Sequence, residues 1–180
     1  YGVATRWNSR RVEGDLEFLD ASDLKEALTA LEQYHASAVV LAGGTDAVPA
    51  LLMGEIGPRL IVHIRNIPGL GGVGGTDRTV VGSTTTHWHL AGDPRMSDEH
   101  RAIVDAALTV GGRQTQNVGT IGGNIVNASP AADLMPALLV ANATVRLATI
   151  DTEREMLLDE FVLGRKETCR RDNELLTHIS

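Results

Sequence analysis

Hydrophobic positions recur with two different periods along the chain, and each period predicts one kind of element. Leucine and alanine recur at helical spacing in residues 22–34, where Ser22 is a suitable N-cap, and apolar residues do so again in residues 99–110. The apolar run AVVLA at residues 38–42 and the largely apolar run RLIVHI at residues 59–64 are typical of short buried strands. The first third of the chain is therefore predicted to contain a helix, a strand, a glycine turn, a second helix and a second strand.

Beyond residue 66 the pattern changes to short elements separated by turns. Further strands are predicted at residues 79–83, 143–150, 153–157 and 174–179. Helices in this part of the chain are predicted at residues 87–90, 133–141 and 159–163, in addition to the second helix of the first third, which is predicted at residues 47–53. We expect an α+β fold with two lobes, a small αβ lobe over residues 1–65 and a larger mixed lobe over residues 66–180 with an antiparallel tendency.

Composition excludes several classes of protein. The net charge is −7, from 23 acidic and 16 basic residues, which argues against a protein that binds nucleic acid. No apolar run approaches the roughly 20 residues of a membrane span, and no signal peptide opens the sequence, so we expect a cytoplasmic protein. The single cysteine, Cys169, can form neither an internal disulfide nor an iron–sulfur cluster alone. The basic clusters at residues 6–11 and 165–171 are interpreted as solvated faces or partner contacts.

The stretch NVGTIGGNIVNASPAADLMP, residues 117–136, has little bulk but carries apolar residues between its glycines. We expect it to be a loop that is ordered against a ligand. Two glycine-rich turns are candidates for this role: the first glycine turn, residues 42–46, and the second glycine turn, residues 119–124. Glycine lets the backbone approach a ligand closely, and consecutive amides next to a helix N-terminus attract anions. A pyrophosphate suits such a site.

The common nucleotide motifs do not occur. The sequence has neither G-x-x-x-x-G-K-[ST] nor a G-x-G-x-x-G that follows a strand and opens a helix. The run GLGGVGG at residues 69–75 is followed by a predicted turn and strand instead. Because glycine turns alone are a weak signal, two tight turns between packed elements remain an equally good interpretation from spacing alone.

Four stretches resemble one known family. They are LAGGTDAVP (41–49), LIVHIRNIPGL through VVGSTTTHWHL (60–90), NVGTIGGNIVNASPAADLMPALL (117–139) and LLDEFVLGRKETCRRDNELLTHI (157–179). In this order they resemble the FAD-binding, or medium, subunit of the molybdenum hydroxylases, which include xanthine dehydrogenase, aerobic carbon monoxide dehydrogenase and nicotinate dehydrogenase. The most specific part of the resemblance is TIGGN followed by SPAAD.

The resemblance implies the two-lobed FAD-binding fold of the vanillyl-alcohol-oxidase (PCMH) type. It implies phosphate-side turns at residues 40–47 and 120–124, a hydrogen bond from a ribose or ribityl hydroxyl to Asp133, and packing of Leu176 on the cofactor. Val110 falls where relatives often have a larger residue near the adenine. The implied FAD-binding residues are Val40, Leu41, Ala42, Gly43, Gly44, Thr45, Asp46, Ala47, Val110, Thr120, Ile121, Gly122, Gly123, Asn124, Asp133 and Leu176. No catalytic residue and no metal ligand is expected.

The resemblance also implies a function. In the family, electrons pass from a molybdenum site through [2Fe–2S] clusters to the flavin and then to NAD+ or another acceptor. The expected partners are an iron–sulfur subunit and a large molybdopterin-binding subunit. Two alternatives stay open: a free-standing flavin oxidoreductase of the same fold, and a scaffold subunit without flavin. The C-terminal CO-dehydrogenase-flavoprotein domain that follows an ELLTHI-like strand in the family is absent from this sequence, so we expect a short form or a fragment.

Several side chains also have structural interpretations. Asp133 is expected to cap the helix that follows it as well as to bind the ligand. The Asp46 carboxylate is expected to point away from the phosphates, which would repel it. His87 and His89 are expected to face apart and not to form a metal pair. The threonines at residues 84–86 are expected to approach the flavin.

Overall fold

The structure, a computed structural model, describes residues 16–96 and 100–180. Its first sheet has three short parallel strands in the order β1-β3-β2. These strands are β1 (Glu17–Asp20), β2 (Ala38–Leu41) and β3 (Leu60–His63). Helix α1 (Leu24–Tyr34) joins β1 to β2, and α2 (Ala47–Met53) lies between β2 and β3. This order confirms the predicted helices and apolar strands of this region, while β1 had no predicted counterpart.

The apolar stripe of α1 is buried, but the helix begins one residue later than expected. Its N-cap is Asp23, whose carboxylate accepts a hydrogen bond from the Glu26 amide at 2.8 Å. Ser22 instead donates its amide and its hydroxyl to the Glu26 carboxylate, at 2.8 and 2.9 Å. The prediction of Ser22 as the N-cap is therefore wrong, because the longer Glu26 side chain reaches back and engages it.

The second sheet has five strands in the order β4-β5-β10-β6-β7, and every pair is antiparallel. The strands are β4 (Val73–Gly74), β5 (Val80–Gly82), β6 (Thr144–Ala148), β7 (Glu153–Leu157) and β10 (Leu175–Ile179). A separate hairpin consists of β8 (Val162–Gly164) and β9 (Glu167–Thr168). The central strand, β10, pairs with β5 on one side and with β6 on the other, so it joins the two halves of this sheet.

Helices cover this sheet and carry the segments next to it. They are α3 (His87–Gly92), α4 (Arg101–Thr109), α5 (Arg113–Val118), α6 (Ile121–Asn127), α7 (Leu134–Val140) and α8 (Leu158–Phe161). None of the helices in the two described ranges is long and apolar enough to cross a membrane.

The prediction that residues 117–136 form a loop is wrong for their first half, because α5 ends there and α6 lies within them. Two features outweigh the low helix propensity of the glycines. The Thr120 hydroxyl accepts a hydrogen bond from the Gly123 amide at 3.2 Å, which caps α6. Ile121 and Ile125, four residues apart, are both fully buried. Tertiary burial of one face therefore stabilises a helix that the composition disfavours.

Two hydrophobic cores follow the two sheets. The smaller core contains the buried face of α1 and the residues of β3, and it also receives Ala148 and Leu175 from the second sheet. The larger core packs helices α3, α4, α6 and α7 against the second sheet. The boundary at residue 65 between the two lobes stays a prediction.

Candidate functional site

A cleft of about 840 Å³ lies where the two glycine turns meet. Its lining comes from β2, the first glycine turn, α2, the start of α6, the loop before α7 and the segment from residue 166 to the start of β10. A shallower groove of about 560 Å³ runs between β1 and α1, and its lining includes none of the predicted site residues. The cleft is therefore the candidate site.

The first glycine turn offers unused backbone donors. Within the described part of the chain, the amides of Gly43, Gly44, Thr45 and Asp46 donate to no protein acceptor. Gly44 has φ +73°, in the left-handed region that favours glycine. The four residues line the cleft and lead directly into α2. Consecutive free amides at a helix start form the anion-binding arrangement that the sequence predicts for this turn.

Asp46 connects the first glycine turn to α6 and does not cap α2. Its carboxylate accepts hydrogen bonds from the Asn127 side-chain amide at 2.8 Å and from the Thr45 hydroxyl at 3.3 Å. These two hydrogen bonds give the Asp46 carboxylate a structural role. That it points away from bound phosphates stays a prediction.

The second glycine turn differs, because its amides are already in use. Ile121 donates to the Thr85 carbonyl at 3.0 Å and Gly122 to the Ser83 carbonyl at 2.9 Å. The amides of Gly123 and Asn124 bond to Thr120, through its hydroxyl and its carbonyl respectively. Residues 121–124 therefore do not supply the free amides that their glycine content suggests.

The glycines of the two turns have different neighbours. A Cβ on Gly43 would overlap the carbonyl oxygen of Val118, so the first turn lies directly on the end of α5. A Cβ on Gly122 would lie 2.7 Å from both the Cβ and the carbonyl oxygen of Ser83. A Cβ on Gly123 would meet the Thr120 hydroxyl at 3.1 Å. Gly43 and Gly122 are thus required by close protein packing, whereas Gly123 is exposed at the cleft.

Three buried polar atoms beside the cleft have no hydrogen-bond partner among the described residues. They are Ser83 Oγ, His87 Nδ1 and Asn124 Oδ1, and all three residues line the cleft. A buried polar atom without a partner costs about 1–3 kcal/mol. The cleft therefore fits a ligand that is rich in hydroxyl and phosphate groups, as FAD is.

His87 is a cleft residue that sequence reasoning considered only for metal binding. Its imidazole is buried beside Gly119, whereas His89 is exposed, so the two rings do face apart as expected. Burial lowers the pKa of His87, and the negative charge of Asp133 opposes that effect. We found no cluster of three His, Cys, Asp or Glu side chains in the described ranges that could hold a metal ion.

An ion pair between the partly exposed Arg154 and the buried cleft residue Glu174 lies beside the cleft. Glu174 accepts two hydrogen bonds from Arg154, at 2.7 and 2.8 Å, and one from the Arg171 amide at 2.7 Å. Burial raises the pKa of Glu174, but these hydrogen bonds outweigh it, and the pKa lies below its ordinary value. Residues 165–171 were interpreted as a solvated face or a partner contact. Arg170 is partly buried and lines the cleft, so the solvated face is wrong for this residue.

The structure brings most of the predicted site residues together. All of them are described, and all except Leu41 and Ile121 line the cleft. Ile121 is fully buried in the larger core. Asp133 lies at the cap position of α7, but its carboxylate accepts no hydrogen bond from the described chain, so it does not cap that helix. Binding of FAD by each residue stays a prediction.

The threonines at residues 84–86 do not line the cleft. They are buried, and two of them use their hydroxyls within the protein. The Thr85 hydroxyl donates to the Gly82 carbonyl at 2.6 Å, and the Thr86 hydroxyl accepts the His89 amide as the cap of α3. The expectation that this segment approaches the flavin is therefore not supported. The neighbouring residue Ser83, at the end of a predicted strand, is the one that reaches the cleft.

Curated relatives are similar over almost the whole chain. The nicotinate dehydrogenase FAD-subunit of Eubacterium barkeri is 30% identical over 170 residues, covering 92% of this chain and 57% of its own length. The carbon monoxide dehydrogenase medium chain of Hydrogenophaga pseudoflava is 31% identical over 165 residues, covering 91% and 57%. The chain thus spans little more than half the length of these relatives.

The fold is also similar to a solved structure. Carbon monoxide dehydrogenase from Hydrogenophaga pseudoflava matches with a TM-score of 0.88 and 27% sequence identity, over 92% of this chain and 58% of the matched chain. The predicted α+β fold is confirmed by this likeness. The profile of the family described as "FAD binding domain in molybdopterin dehydrogenase" matches residues 14–180. The chain accordingly belongs to the FAD-binding domains of the molybdopterin dehydrogenases, and the predicted family and cofactor are confirmed.

Proposed function

We propose that the chain is the FAD-binding electron-transfer part of a molybdenum-containing hydroxylase or dehydrogenase in the cytoplasm. It accepts electrons from [2Fe–2S] clusters of a partner subunit and passes them to NAD+ or another acceptor. A large molybdopterin-binding subunit completes the complex and oxidises the organic substrate. The names of the relatives, a FAD-subunit and a medium chain, support a place within a larger assembly.

The observation that carries the proposal is the first glycine turn. Four consecutive amides with no acceptor among the described residues line a cleft, and three polar atoms beside it have no partner in the same residues. Free amides in sequence complement an anion, and the pyrophosphate of FAD carries the negative charge of that cofactor. The bound flavin supplies the redox chemistry, while the protein binds and orients it.

The remaining cleft residues have roles that follow from their chemistry. The free carboxylate of Asp133 accepts a hydrogen bond from a cofactor hydroxyl. Val110 and Leu176 provide apolar contacts at the cleft wall. Asn124 and Ser83 offer side-chain hydrogen bonds to the polar chain of the cofactor. We assign no general base, because electron transfer through a flavin requires none from these residues.

Titration of the purified apo-chain with FAD tests the proposal. Binding is followed by quenching of flavin fluorescence and by the visible absorption of the protein fraction after gel filtration. We expect ADP to compete, because it carries the same diphosphate. A chain that retains no FAD and no ADP would contradict the proposed function.

A matched pair of glycine variants locates the binding site. Gly44 and Gly54 both have positive φ, +73° and +70°, so Gly44→Ala and Gly54→Ala impose similar backbone strain. Gly54 does not line the cleft, and a Cβ there would meet no described atom within 4 Å. We expect Gly44→Ala to weaken FAD binding about 10-fold or more and Gly54→Ala to leave it unchanged.

Electron transfer needs a second experiment. The flavin-loaded chain is mixed with the reduced iron–sulfur subunit of the proposed complex, and flavin bleaching is followed by stopped-flow absorbance. Rapid bleaching that depends on the partner supports the electron-transfer role. Flavin binding without any reduction by that partner would contradict this role and favour a free-standing flavin protein.

A further inference from the structure

Arg170 lies in the segment between β9 and β10. It is partly buried and lines the cleft. Its Nη1 atom donates hydrogen bonds to the carbonyls of Arg171 at 3.0 Å and Glu174 at 2.8 Å. One nitrogen of the guanidinium is thus anchored to the backbone, which fixes the position of the whole group.

The guanidinium of Arg170 lies near the charges of Asp172 and Glu174 but forms no direct ion pair with a carboxylate in the described part of the chain. Within the described ranges it forms no ion pair, and its Nε and Nη2 atoms donate to no protein acceptor. The nearby Glu174 carboxylate is already bound by Arg154 and by the Arg171 amide. Burial lowers the pKa of Arg170, although the charges of Asp172 and Glu174 oppose this. A partly desolvated cation without a partner is unfavourable unless a ligand supplies the anion.

The cleft as a whole needs such a cation if it binds a dianion. Its described lining includes four carboxylates, those of Asp46, Glu55, Asp133 and Glu174, and two cations, Arg170 and Lys166. Lys166 is exposed, so water screens its charge more than that of Arg170. Arg170 is therefore the stronger electrostatic attraction for an anion in this cleft.

We propose that Arg170 binds a phosphate oxygen of the dinucleotide in the cleft, as the cation that complements the free amides of the first glycine turn. This inference rests on the proposed function. The two unused nitrogens, Nε and Nη2, form one edge of the planar guanidinium, which suits two parallel hydrogen bonds to a phosphate. Arg170 thereby makes the cleft select a diphosphate nucleotide over an uncharged flavin.

The test compares Arg170→Gln with Arg171→Gln. Both remove one positive charge at adjacent positions, but Arg171 is exposed and does not line the cleft. Each variant is titrated with FAD, ADP and riboflavin. We expect Arg170→Gln to weaken FAD and ADP binding about 10- to 100-fold and to leave riboflavin binding unchanged. The salt dependence of FAD binding should also become shallower, whereas Arg171→Gln should change neither property.

Other outcomes separate this inference from the proposed function. If Arg170→Gln weakens riboflavin binding as much as FAD binding, Arg170 has only a structural role and the inference is wrong. If Arg170→Gln is unstable, Arg170→Lys is titrated in its place, because lysine keeps the positive charge but has a single side-chain nitrogen. Restored ADP binding in that stable variant supports the electrostatic role, and ADP binding as weak as in Arg170→Gln overturns it. An unmodified chain that binds no nucleotide refutes the proposed function itself, and this role with it.

Discussion

The two glycine turns look alike in sequence but differ in what their glycines do. In the first glycine turn, four consecutive amides have no acceptor in the described chain, and Gly44 takes a left-handed conformation. In the second glycine turn, the amides of residues 121–124 already bond to the protein, and the glycines belong to helix α6. One turn offers its backbone to a ligand, and the other uses its backbone to hold the fold.

The two glycine turns also depend on each other unequally for their stability. The second turn rests on the larger core through Ile121 and Ile125. The first turn packs on the second turn and on the residues that flank it. A Cβ on Gly43 would lie 2.9 Å from the Cα of Gly119 and would overlap the Val118 carbonyl oxygen, and Asp46 bonds to Asn127 at the end of α6. We conclude that damage to the second turn destabilises both turns, whereas damage to the first turn affects mainly ligand binding. The predictions below test this order, starting with the largest expected effect.

Gly122→Val tests the structural role of the second turn. A Cβ at this position would lie 2.7 Å from the Ser83 backbone oxygen, which cannot move without distorting β5. We expect the free energy of unfolding to fall by about 3 kcal/mol, as for strong overpacking. Urea denaturation of the apo-chain measures it. Gly123→Ala is the control, because it adds an atom at an exposed glycine of the same helix, and it should change stability by less than about 1 kcal/mol. Equal losses in the two variants would contradict the assignment.

Asp133→Ala tests a cleft residue that belongs to neither turn. Its carboxylate caps no helix and has no described hydrogen-bond donor, so the apo-chain should keep its stability. We expect FAD affinity to fall by about 1.5–3 kcal/mol, the value of a hydrogen bond to a charged group. Fluorescence titration measures the affinity, and thermal unfolding of the apo-chain is the control. Loss of stability with unchanged affinity would reverse the assignment.

Arg65→Met tests the connection between the end of β3 and the end of α5, on which the first glycine turn packs. Arg65 follows β3 and donates hydrogen bonds to the carbonyls of Val118 at 3.0 Å and Asn117 at 3.1 Å. Methionine keeps much of the length but removes both donors, so we expect a stability loss of about 1–2 kcal/mol. Arg59→Met, at an exposed arginine before β3, is the matched control for charge removal in urea denaturation. An equally small effect in both variants would show that the connection is unimportant.

The pH dependence of stability tests the burial of the His87 ring, which packs beside Gly119. The pKa of His87 lies below its ordinary value of 6.5 because the ring is buried. Below pH 6.5 the unfolded chain binds a proton that the folded chain resists, so the free energy of unfolding should decrease as the pH falls from 6.5. Above that pH, His87 adds no pH dependence. We expect His87→Gln to remove this part of the slope in urea denaturation at pH 7.5 and 5.5, and exposed His89→Gln to keep it. An unchanged slope in His87→Gln would contradict this account.

Much of the fold could be predicted from the sequence because its signals are local. Helix α2 and strand β7 have the predicted bounds, since the apolar pattern and flanking turns define them within a few residues. Strand β1 has no predicted counterpart, because it forms by pairing with β3 about forty residues away along the chain. Helix α6 was predicted as a loop, because its stability comes from the buried Ile121 and Ile125 and not from propensity.

The candidate site was predictable where chemistry and motif coincide. The first glycine turn and Asp133, which the motif assigns to the site, both line the cleft, and their binding of FAD stays a prediction. His87 and Arg170 were not assigned to the site, because burial and position in the fold decide their role. Arg170 lies within a cluster of basic residues that reads as a solvated face, and only the backbone path between β9 and β10 turns it toward the cleft.

Helix α2 has a consequence for how the cofactor enters. None of its seven residues, all of them described, is buried, and Leu52 and Met53 are 74% and 71% exposed. Segments with few buried contacts open at low free energy while the rest of the protein stays folded. We therefore expect the amide protons of α2 to exchange with solvent much faster than those of α6 in the apo-chain. Local unfolding of α2 would admit the dinucleotide sideways, and the association rate of FAD would then be limited by how often this one helix opens.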